Sequence, residues 1–245
     1  DTIDAGGGND IVTSGAGDDS ITTGAGNDNI SAGAGNDTIT IAANYTTSDT
    51  IDGGEGTDTL ALTGASGTTT PSTLTSIEKI TFTGAAGGKN TLALASASSV
   101  STVTIVEDGA VDVAHGVTGL ASGGTVVFQE TENDALTVDT VADASLTISV
   151  KADTTGGSTT ITDASSVTLT GGVNAGDLTA LVLDGVDTTS LTISTTSTFD
   201  IDTGAITGTD KLQTLSLSTA ADGGTIGDST NTIADATSLT SITAT

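Results

Sequence analysis

Aspartates recur every nine residues near the start of the chain, and an aliphatic residue follows each of them two positions later. The aspartates are Asp10, Asp19, Asp28 and Asp37. The aliphatic residues are Val12, Ile21, Ile30 and Ile39. No cysteine or histidine lies in this stretch, so its metal-binding groups are carboxylates and backbone carbonyls. An all-oxygen ligand set is typical of a site for a hard cation such as Ca²⁺.

The aspartates belong to four near-identical nonapeptides, which are Ala5–Thr13, Ser14–Thr22, Thr23–Ser31 and Ala32–Thr40. Each begins with a glycine-rich segment and ends in a short β-branched segment, so nine residues form one turn and one strand, or half a coil. Alternate copies then stack at the strand spacing of about 4.8 Å. We therefore predict that Asp10 lies above Asp28 on one edge and Asp19 above Asp37 on the other.

The repeat also predicts how this region depends on metal. Carboxylates stacked at that spacing repel each other unless a cation lies between them. Each half-coil contributes one aliphatic side chain, so its core is too thin to offset the entropy of ordering the chain. With Kd near ~10⁻⁴ M and about 1 mM free calcium, each site adds roughly 1.4 kcal/mol. We expect several Ca²⁺ ions to bind, and residues 1–61 to be largely disordered without them.

The repeat extends beyond the four copies in both directions. Asp1–Asp4 is the tail of an earlier copy, and Gly53–Ala61 forms a later one that contains Asp58. Between the fourth copy and this later one, Asp49 follows Asp37 by twelve residues. This half-coil therefore has three extra residues, and it lacks the glycines of the other copies.

Composition limits the partners of the chain. It carries four lysines, no arginine and a formal net charge of −27, which excludes a nucleic-acid partner and an unaided electrostatic contact with an anionic membrane. The absence of cysteine is compatible with an exported bacterial protein. No apolar stretch reaches the length of a transmembrane span. The chain starts inside a repeat, so we expect it to be an interior piece of a longer polypeptide.

The rest of the chain has a looser pattern of β-branched residues, which favour strands. Alternating triplets recur, and from the second one onward they begin 10–24 residues apart: Val103–Ile105, Leu146–Ile148, Val167–Leu169, Leu181–Leu183, Leu191–Ile193 and Leu215–Leu217. One strand per coil of about twenty residues predicts that a Thr/Ser/Ala-rich β-solenoid continues the roll. A β-sandwich is the alternative. The predicted fold is all-β, with a calcium-binding parallel β-roll over residues 1–61 and a β-rich region over 62–245, bounded near Thr63–Pro71 and subdivided near 152–158.

Other polar residues offer weaker sites. Four acidic groups could hold further calcium, although each is also compatible with a solvated loop: Glu107 with Asp108; Glu130, Glu132 and Asp134; Asp200 with Asp202; and Asp222 with Asp228. His115 has no histidine or cysteine partner for catalysis or zinc, so we predict a surface-loop position. No serine or threonine can be singled out as a nucleophile, and we predict no enzymatic activity.

Residues 1–61 resemble the RTX (repeats-in-toxin) family, whose consensus is GGxGxDx followed by an aliphatic residue. The first glycine of the consensus is present here only at Gly53. The resemblance implies calcium at the repeat aspartates Asp1, Asp10, Asp19, Asp28, Asp37, Asp49 and Asp58. It also implies ligands from the turn glycines Gly6, Gly8, Gly15, Gly17, Gly24, Gly26, Gly33, Gly35, Gly54 and Gly56. The candidate set further includes the residues before the aspartates, namely Asn9, Asp18, Asn27 and Asn36.

Two segments, separated by a Thr/Ser-rich stretch, indicate which kind of RTX protein the chain resembles. Gly53–Gly64 (GGEGTDTLALTG) and Leu74–Gly84 (LTSIEKITFTG) are similar to RTX-type bacterial surface-layer proteins such as that of Caulobacter. This implies a type I-secreted, calcium-dependent structural subunit that assembles with copies of itself on the cell surface, with lipopolysaccharide bound through a region outside this chain. An extender region of a large RTX adhesin is the alternative, and the C-terminal roll of a secreted RTX protease or lipase is a weaker one.

Overall fold

The computed structural model describes residues 1–41, 45–63, 67–71, 74–84, 89–94, 99–106, 114–129, 135–150, 158–171, 180–183, 188–195, 206–207, 209–219, 238 and 240–244. In these residues the regular structure consists of β-strands, and every pairing between them is parallel. The described part of the chain contains no helix with the length and hydropathy of a membrane span.

One ladder of strands, which we call the continuous face, extends through the described chain. It contains β1 (Thr2–Asp4), β3 (Ser20–Thr23), β5 (Thr38–Ile41), β7 (Thr59–Thr63), β10 (Lys79–Thr83), β12 (Thr102–Val106), β14 (Gly124–Gln129), the second halves of β15 (Ala135–Val150) and β16 (Ser158–Gly171), β18 (Ser190–Thr195), β20 (Thr214–Thr219) and β21 (Ser241–Ala244).

Two further ladders share the opposite side of the coils. The short face contains β2 (Ile11–Ala16), β4 (Asn29–Ala34), β6 (Thr50–Glu55) and β9 (Leu74–Thr75). The late face contains β8 (Gly67–Thr69), β11 (Asn90–Ala93), β13 (Ala114–Leu120), the first halves of β15 and β16, β17 (Ala180–Leu183) and β19 (Ile206–Thr207).

The core lies between these faces and is built from aliphatic residues in register. On the continuous face, Ile21 pairs with Ile39, and the same column continues through Leu60 and Ile80. All four side chains are buried. Threonine or serine alternates with the aliphatic residues along the strands, because successive side chains of a strand point to opposite sides of the sheet.

The coils become longer along the chain. Equivalent residues are 18 apart in the first coils, 20 between Asp58 and Glu78, 24 between Ser165 and Thr189, and 27 between Gln213 and Thr240. The longer coils accommodate the late face, whose own aliphatic column adds buried side chains such as Leu136 and Leu181. In the nonapeptide coils, the short face supplies the corresponding aliphatic column, with Val12, Ile30, Ile51 and Leu74 buried in register.

The structure confirms the β-solenoid and rejects the sandwich, because parallel pairing continues from the nonapeptides into the Thr/Ser/Ala-rich region. The six alternating triplets all lie in strands, namely β12, the second halves of β15 and β16, β17, β18 and β20. The division into residues 1–61 and 62–245 stays a prediction, as does the subdivision near 152–158, where residues 151–157 lie outside the described chain.

Candidate calcium-binding turns

The repeat aspartates form two columns, one on each edge of the roll, as the nine-residue period predicts. One column comprises Asp10, Asp28 and Asp49, which precede the strands of the short face. The other comprises Asp1, Asp19, Asp37 and Asp58, which precede strands of the continuous face. The predicted stacking of Asp10 with Asp28 and of Asp19 with Asp37 is therefore confirmed.

Each carboxylate contacts the coil before it through one oxygen. The backbone N–H of Asp10 donates to Oδ1 of Asp28 at 3.0 Å, and that of Asp28 donates to Oδ1 of Asp49 at 2.9 Å. In the other column, the N–H of Asp19 donates to Oδ1 of Asp37 at 2.8 Å, and that of Asp37 donates to Oδ1 of Asp58 at 2.7 Å. Asp19 Oδ1 forms an ion pair with the α-ammonium group of Asp1. One oxygen of each side chain therefore joins successive coils.

The second carboxylate oxygen distinguishes these residues from ordinary capping aspartates. In Asp10, Asp19, Asp37 and Asp58, the Oδ2 atom is buried and has no hydrogen-bond partner. A buried charge without a partner is strongly destabilising. Asp37 and Asp58 are 1% and 0% exposed, so solvent does not provide that partner. The folded roll therefore requires a cation, or protonation, at these oxygens.

Electrostatics point in the same direction. Two unit charges about 4.8 Å apart repel by roughly 3.5 kcal/mol at an effective dielectric constant of ~20. Burial raises the pKa of Asp58, and the neighbouring charges of Asp37, Glu78 and Asp52 raise it further, whereas the N–H of Asp37 acts in the opposite direction. Asp58 is therefore the described repeat aspartate whose charged form the fold disfavours most clearly. A divalent ion reverses this balance because it favours the carboxylate form.

The turn glycines allow successive turns to approach each other closely. Gly33 has φ +108°, and a Cβ atom at that position would lie 1.9 Å from the carbonyl oxygen of Gly15. Gly56 has φ +133°, and its Cβ would lie 1.9 Å from the carbonyl oxygen of Gly35. Positive φ occurs at all the predicted turn glycines except Gly24, where a Cβ would still lie 1.7 Å from the Gly6 oxygen. Glycine is thus required both by backbone conformation and by stacking.

The residues before the aspartates form an outer ladder. The N–H of Asn27 donates to Oδ1 of Asn9 at 2.9 Å, that of Asn36 donates to Oδ1 of Asp18 at 2.8 Å, and that of Thr57 donates to Oδ1 of Asn36 at 2.9 Å. These side chains lie on the exposed rim of the turns, where their oxygens already align neighbouring coils. A calcium-binding role for Asn9, Asp18, Asn27 and Asn36 stays a prediction.

The degenerate half-coil keeps its aspartate in position. Thr50 pairs with Asn29, so Asp49 stays in the column despite the three extra residues. Its Oδ2 accepts a hydrogen bond from the N–H of Thr46 at 2.7 Å, and it is 2% exposed. Here a protein donor occupies the oxygen that is unpartnered in Asp37 and Asp58, so this position differs chemically from the others.

The described residues fit calcium only if main-chain oxygens take part. Among them, no group of three or more His, Cys, Asp or Glu side chains is placed to hold a metal ion. Calcium takes six to eight oxygen ligands, including backbone carbonyls. The turn glycines stack with their carbonyl oxygens facing the next coil, as those of Gly15 and Gly35 face Gly33 and Gly56. Calcium ligation by these carbonyls together with the repeat carboxylates stays a prediction.

The sequence analysis did not include Glu78 among the candidate ligands. Glu78 continues the column on the continuous face, because the N–H of Asp58 donates to its Oε2 at 2.9 Å. The signal was in the sequence: Glu78 precedes Ile80 by two positions, just as each repeat aspartate precedes its aliphatic residue. The glycine-based repeat obscured it, since no glycine-rich turn leads to Glu78.

The prediction for His115 was wrong. It lies in β13, is 0% exposed, and packs edge-on against Phe128 with ring centroids 6.4 Å apart. Its register partners, Asn90 and Leu136, lie in the buried column of the late face. Histidine is amphipathic, and here its position in the alternation of β13 directs it into the core. The four further acidic groups, from Glu107 to Asp228, lie outside the described residues.

Comparison with known proteins identifies the repeat. Residues 4–39 and 46–64 match the family model of the RTX calcium-binding nonapeptide repeat, with four copies. No curated protein and no solved structure matches the chain. The matched residues contain the described columns Asp10–Asp28–Asp49 and Asp19–Asp37–Asp58. The chain thus carries RTX-type calcium-binding nonapeptide repeats within a β-solenoid.

Proposed function

We propose that this chain is a structural, non-enzymatic part of a calcium-dependent bacterial surface layer. The observation that carries the calcium dependence is the column of buried aspartates with unpartnered Oδ2 atoms in Asp19, Asp37 and Asp58. RTX repeats in a β-solenoid fit a secreted protein, and millimolar extracellular calcium suits sites of moderate affinity. Calcium then folds the roll after export.

Assembly with copies of itself follows from charge. A net charge of −27 makes neighbouring copies repel, and divalent ions are the natural means of bringing them together. Calcium therefore has two roles in this proposal, one inside the roll and one between subunits. In this proposal, lipopolysaccharide binds through a region outside this chain and places the lattice on the outer membrane.

The second candidate is an extender region of an RTX adhesin. It is favoured by the continuous face, whose strands pair in parallel from Ile3 to Ala244 without a change of direction. Such a ladder forms a rod that calcium would stiffen. The C-terminal roll of a secreted protease or lipase is less compatible, because the strands continue here far beyond the nonapeptides.

The two candidates differ in how purified protein responds to calcium. A surface-layer subunit forms sheets or ordered two-dimensional arrays in electron micrographs when calcium is added. An adhesin extender remains monomeric and becomes a stiffer rod in small-angle scattering. Particles that stay monomeric at millimolar calcium and high protein concentration would contradict the surface-layer proposal.

A further inference from the structure

The column of carboxylates ends at a residue outside the repeats. Glu78 lies beyond the matched segment 46–64, yet it accepts the N–H of Asp58 at 2.9 Å, as Asp58 accepts that of Asp37 at 2.7 Å. The coil that contains Glu78 reaches this position with a shorter turn. Gly53 and Ser76 occupy equivalent positions, so five residue steps lead to Asp58 but only two lead to Glu78. The longer glutamate side chain compensates for the shorter turn.

Asp58 directs an unpartnered oxygen toward this junction. The residue is 0% exposed, and its Oδ2 has no hydrogen-bond partner. A Cβ atom at Gly53 would lie 2.5 Å from this Oδ2 and 2.1 Å from the carbonyl oxygen of Ser76. Two oxygens therefore converge beside the bare backbone of Gly53.

This convergence is specific to the junction. The residue equivalent to Gly53 in the preceding coil is Ala32, and in the coil before that it is Ser14. Both carry a Cβ atom where Gly53 has none. Gly53 is also the described position at which the first glycine of the nonapeptide consensus is present. Because Gly53 has no Cβ atom, the Ser76 carbonyl and the Asp58 carboxylate can both lie against its backbone.

We propose a calcium site at this junction, held by the side chains of Asp58 and Glu78 together with the carbonyl of Ser76. It rests on the proposed calcium binding by the roll, but it adds a ligand that the RTX repeats do not contain. The ion would neutralise Asp58 and connect the last nonapeptide coil to the first coil of the Thr/Ser/Ala-rich region.

The site would also order the strand that follows. The carbonyl of Glu78 accepts hydrogen bonds from the N–H groups of Ser101 and Thr102, at 2.9 and 3.0 Å. Glu78 therefore contacts the coil before it through its side chain and the coil after it through its backbone. Fixing this residue with calcium transmits order from β7 to β10 and β12.

The test compares Glu78→Gln with Glu55→Gln. Both substitutions remove one negative charge, but Glu55 is the exposed last residue of β6. Glu78→Gln retains an oxygen that can accept the Asp58 N–H. Calcium bound per chain is counted by equilibrium dialysis, and amide hydrogen exchange of residues 79–83 and 102–106 is measured at a calcium concentration that saturates the unmodified chain.

We expect Glu78→Gln to lose one ion, or to bind it about tenfold more weakly, because fewer charged ligands weaken a calcium site. It should also exchange faster in both segments, whereas Glu55→Gln should match the unmodified chain.

Unchanged ion count and affinity in Glu78→Gln would overturn the junction site while leaving the calcium-binding roll intact. If the unmodified chain bound no calcium at all, the proposed function itself would fail. Should Glu78→Gln not fold, Glu78→Asp decides, since it keeps the charge and shortens the reach: weaker binding of one ion supports the site, and unaltered binding of every ion refutes it.

Discussion

The nonapeptide coils (the early roll) and the Thr/Ser/Ala-rich coils that follow them (the late solenoid) carry opposite types of side chain at the same register position. One column of the continuous face begins with buried Asp19, Asp37 and Asp58 and continues through half-buried Glu78, exposed Ser101 and buried Gly124. It ends with buried Leu146, Val167, Leu191 and Leu215. The strand register does not change along this series. A single backbone architecture therefore accepts either a buried carboxylate or a buried aliphatic side chain at one place.

This difference in side-chain type indicates which interaction stabilises each region. An aliphatic residue buried at this position contributes roughly 1.5–3 kcal/mol under any ionic condition. An aspartate contributes only when its charge is compensated, since an unpaired buried carboxylate destabilises the fold. We therefore expect folding of the roll to depend on calcium, and folding of the late solenoid to depend on apolar packing. Ser101 and Gly124 lie between the carboxylate part and the aliphatic part of this column.

Removal of calcium is expected to have the largest effect on this contrast. In excess chelator at neutral pH, the amides of β3, β5 and β7 should lose most of their protection from hydrogen exchange, because the stacked carboxylates then repel. The amides of β16, β18 and β20 should remain protected, since their interior column is aliphatic. Exchange measured by mass spectrometry on peptides from both regions checks this. Equal loss in the two regions would mean that the late solenoid depends on calcium as well.

The second-largest effect is expected when an aspartate replaces a buried aliphatic residue of the late solenoid. Leu191 is 0% exposed, and its register partners Val167 and Leu215 are aliphatic, so Leu191→Asp introduces a carboxylate into an apolar column. We expect a loss of about 4 kcal/mol, against about 3 kcal/mol for the control Leu191→Ala, which creates only a cavity. Thermal unfolding with calcium present measures both. A Leu191→Asp variant that calcium restores to full stability would refute the distinction between the two regions.

Close stacking of the glycine turns can be isolated by a matched pair of substitutions. Gly15 and Gly33 have almost the same φ, +110° and +108°, but a Cβ at Gly15 meets nothing within 4 Å, whereas one at Gly33 meets the Gly15 oxygen. We expect Gly33→Ala to destabilise the calcium-loaded roll by about 2–3 kcal/mol, and Gly15→Ala by only about 1–2 kcal/mol, which is the cost of the left-handed conformation. Calcium-dependent unfolding midpoints give the comparison. Equal losses would remove turn-to-turn contact from the account.

The smallest expected effect is a change in the sign of the pH dependence. Burial raises the pKa of Asp58 above its value in the unfolded chain, so without calcium its contribution to stability is present at low pH and is lost as pH rises through the folded-state pKa. In chelator, acidification from neutral pH toward that pKa should therefore stabilise the roll. With calcium bound, the same acidification should destabilise it, because protons compete for the carboxylate. Chemical unfolding over this pH range with and without calcium measures the two slopes, and slopes of the same sign would contradict the prediction.

The sequence predicted the roll well because its period fixes both the stacking and the direction of each aspartate. A nine-residue interval places Asp19 beside Asp37 without any knowledge of the remaining fold. The late region was predicted only as a solenoid with variable spacing, since its strands share alternation but not a constant coil length. Glu78 and His115 were misjudged for a common reason: each is positioned by register with neighbouring coils, which local composition does not reveal. Ser76, whose carbonyl lies beside Gly53, carries no sequence signal of its own.

Calcium beside the unpartnered carboxylate oxygens is the central claim, and anomalous X-ray diffraction tests it most directly. Crystals grown in millimolar calcium should show anomalous density next to Oδ2 of Asp19, Asp37 and Asp58. Ordered turns without such density, in a chain that keeps its protection in chelator, would contradict the account.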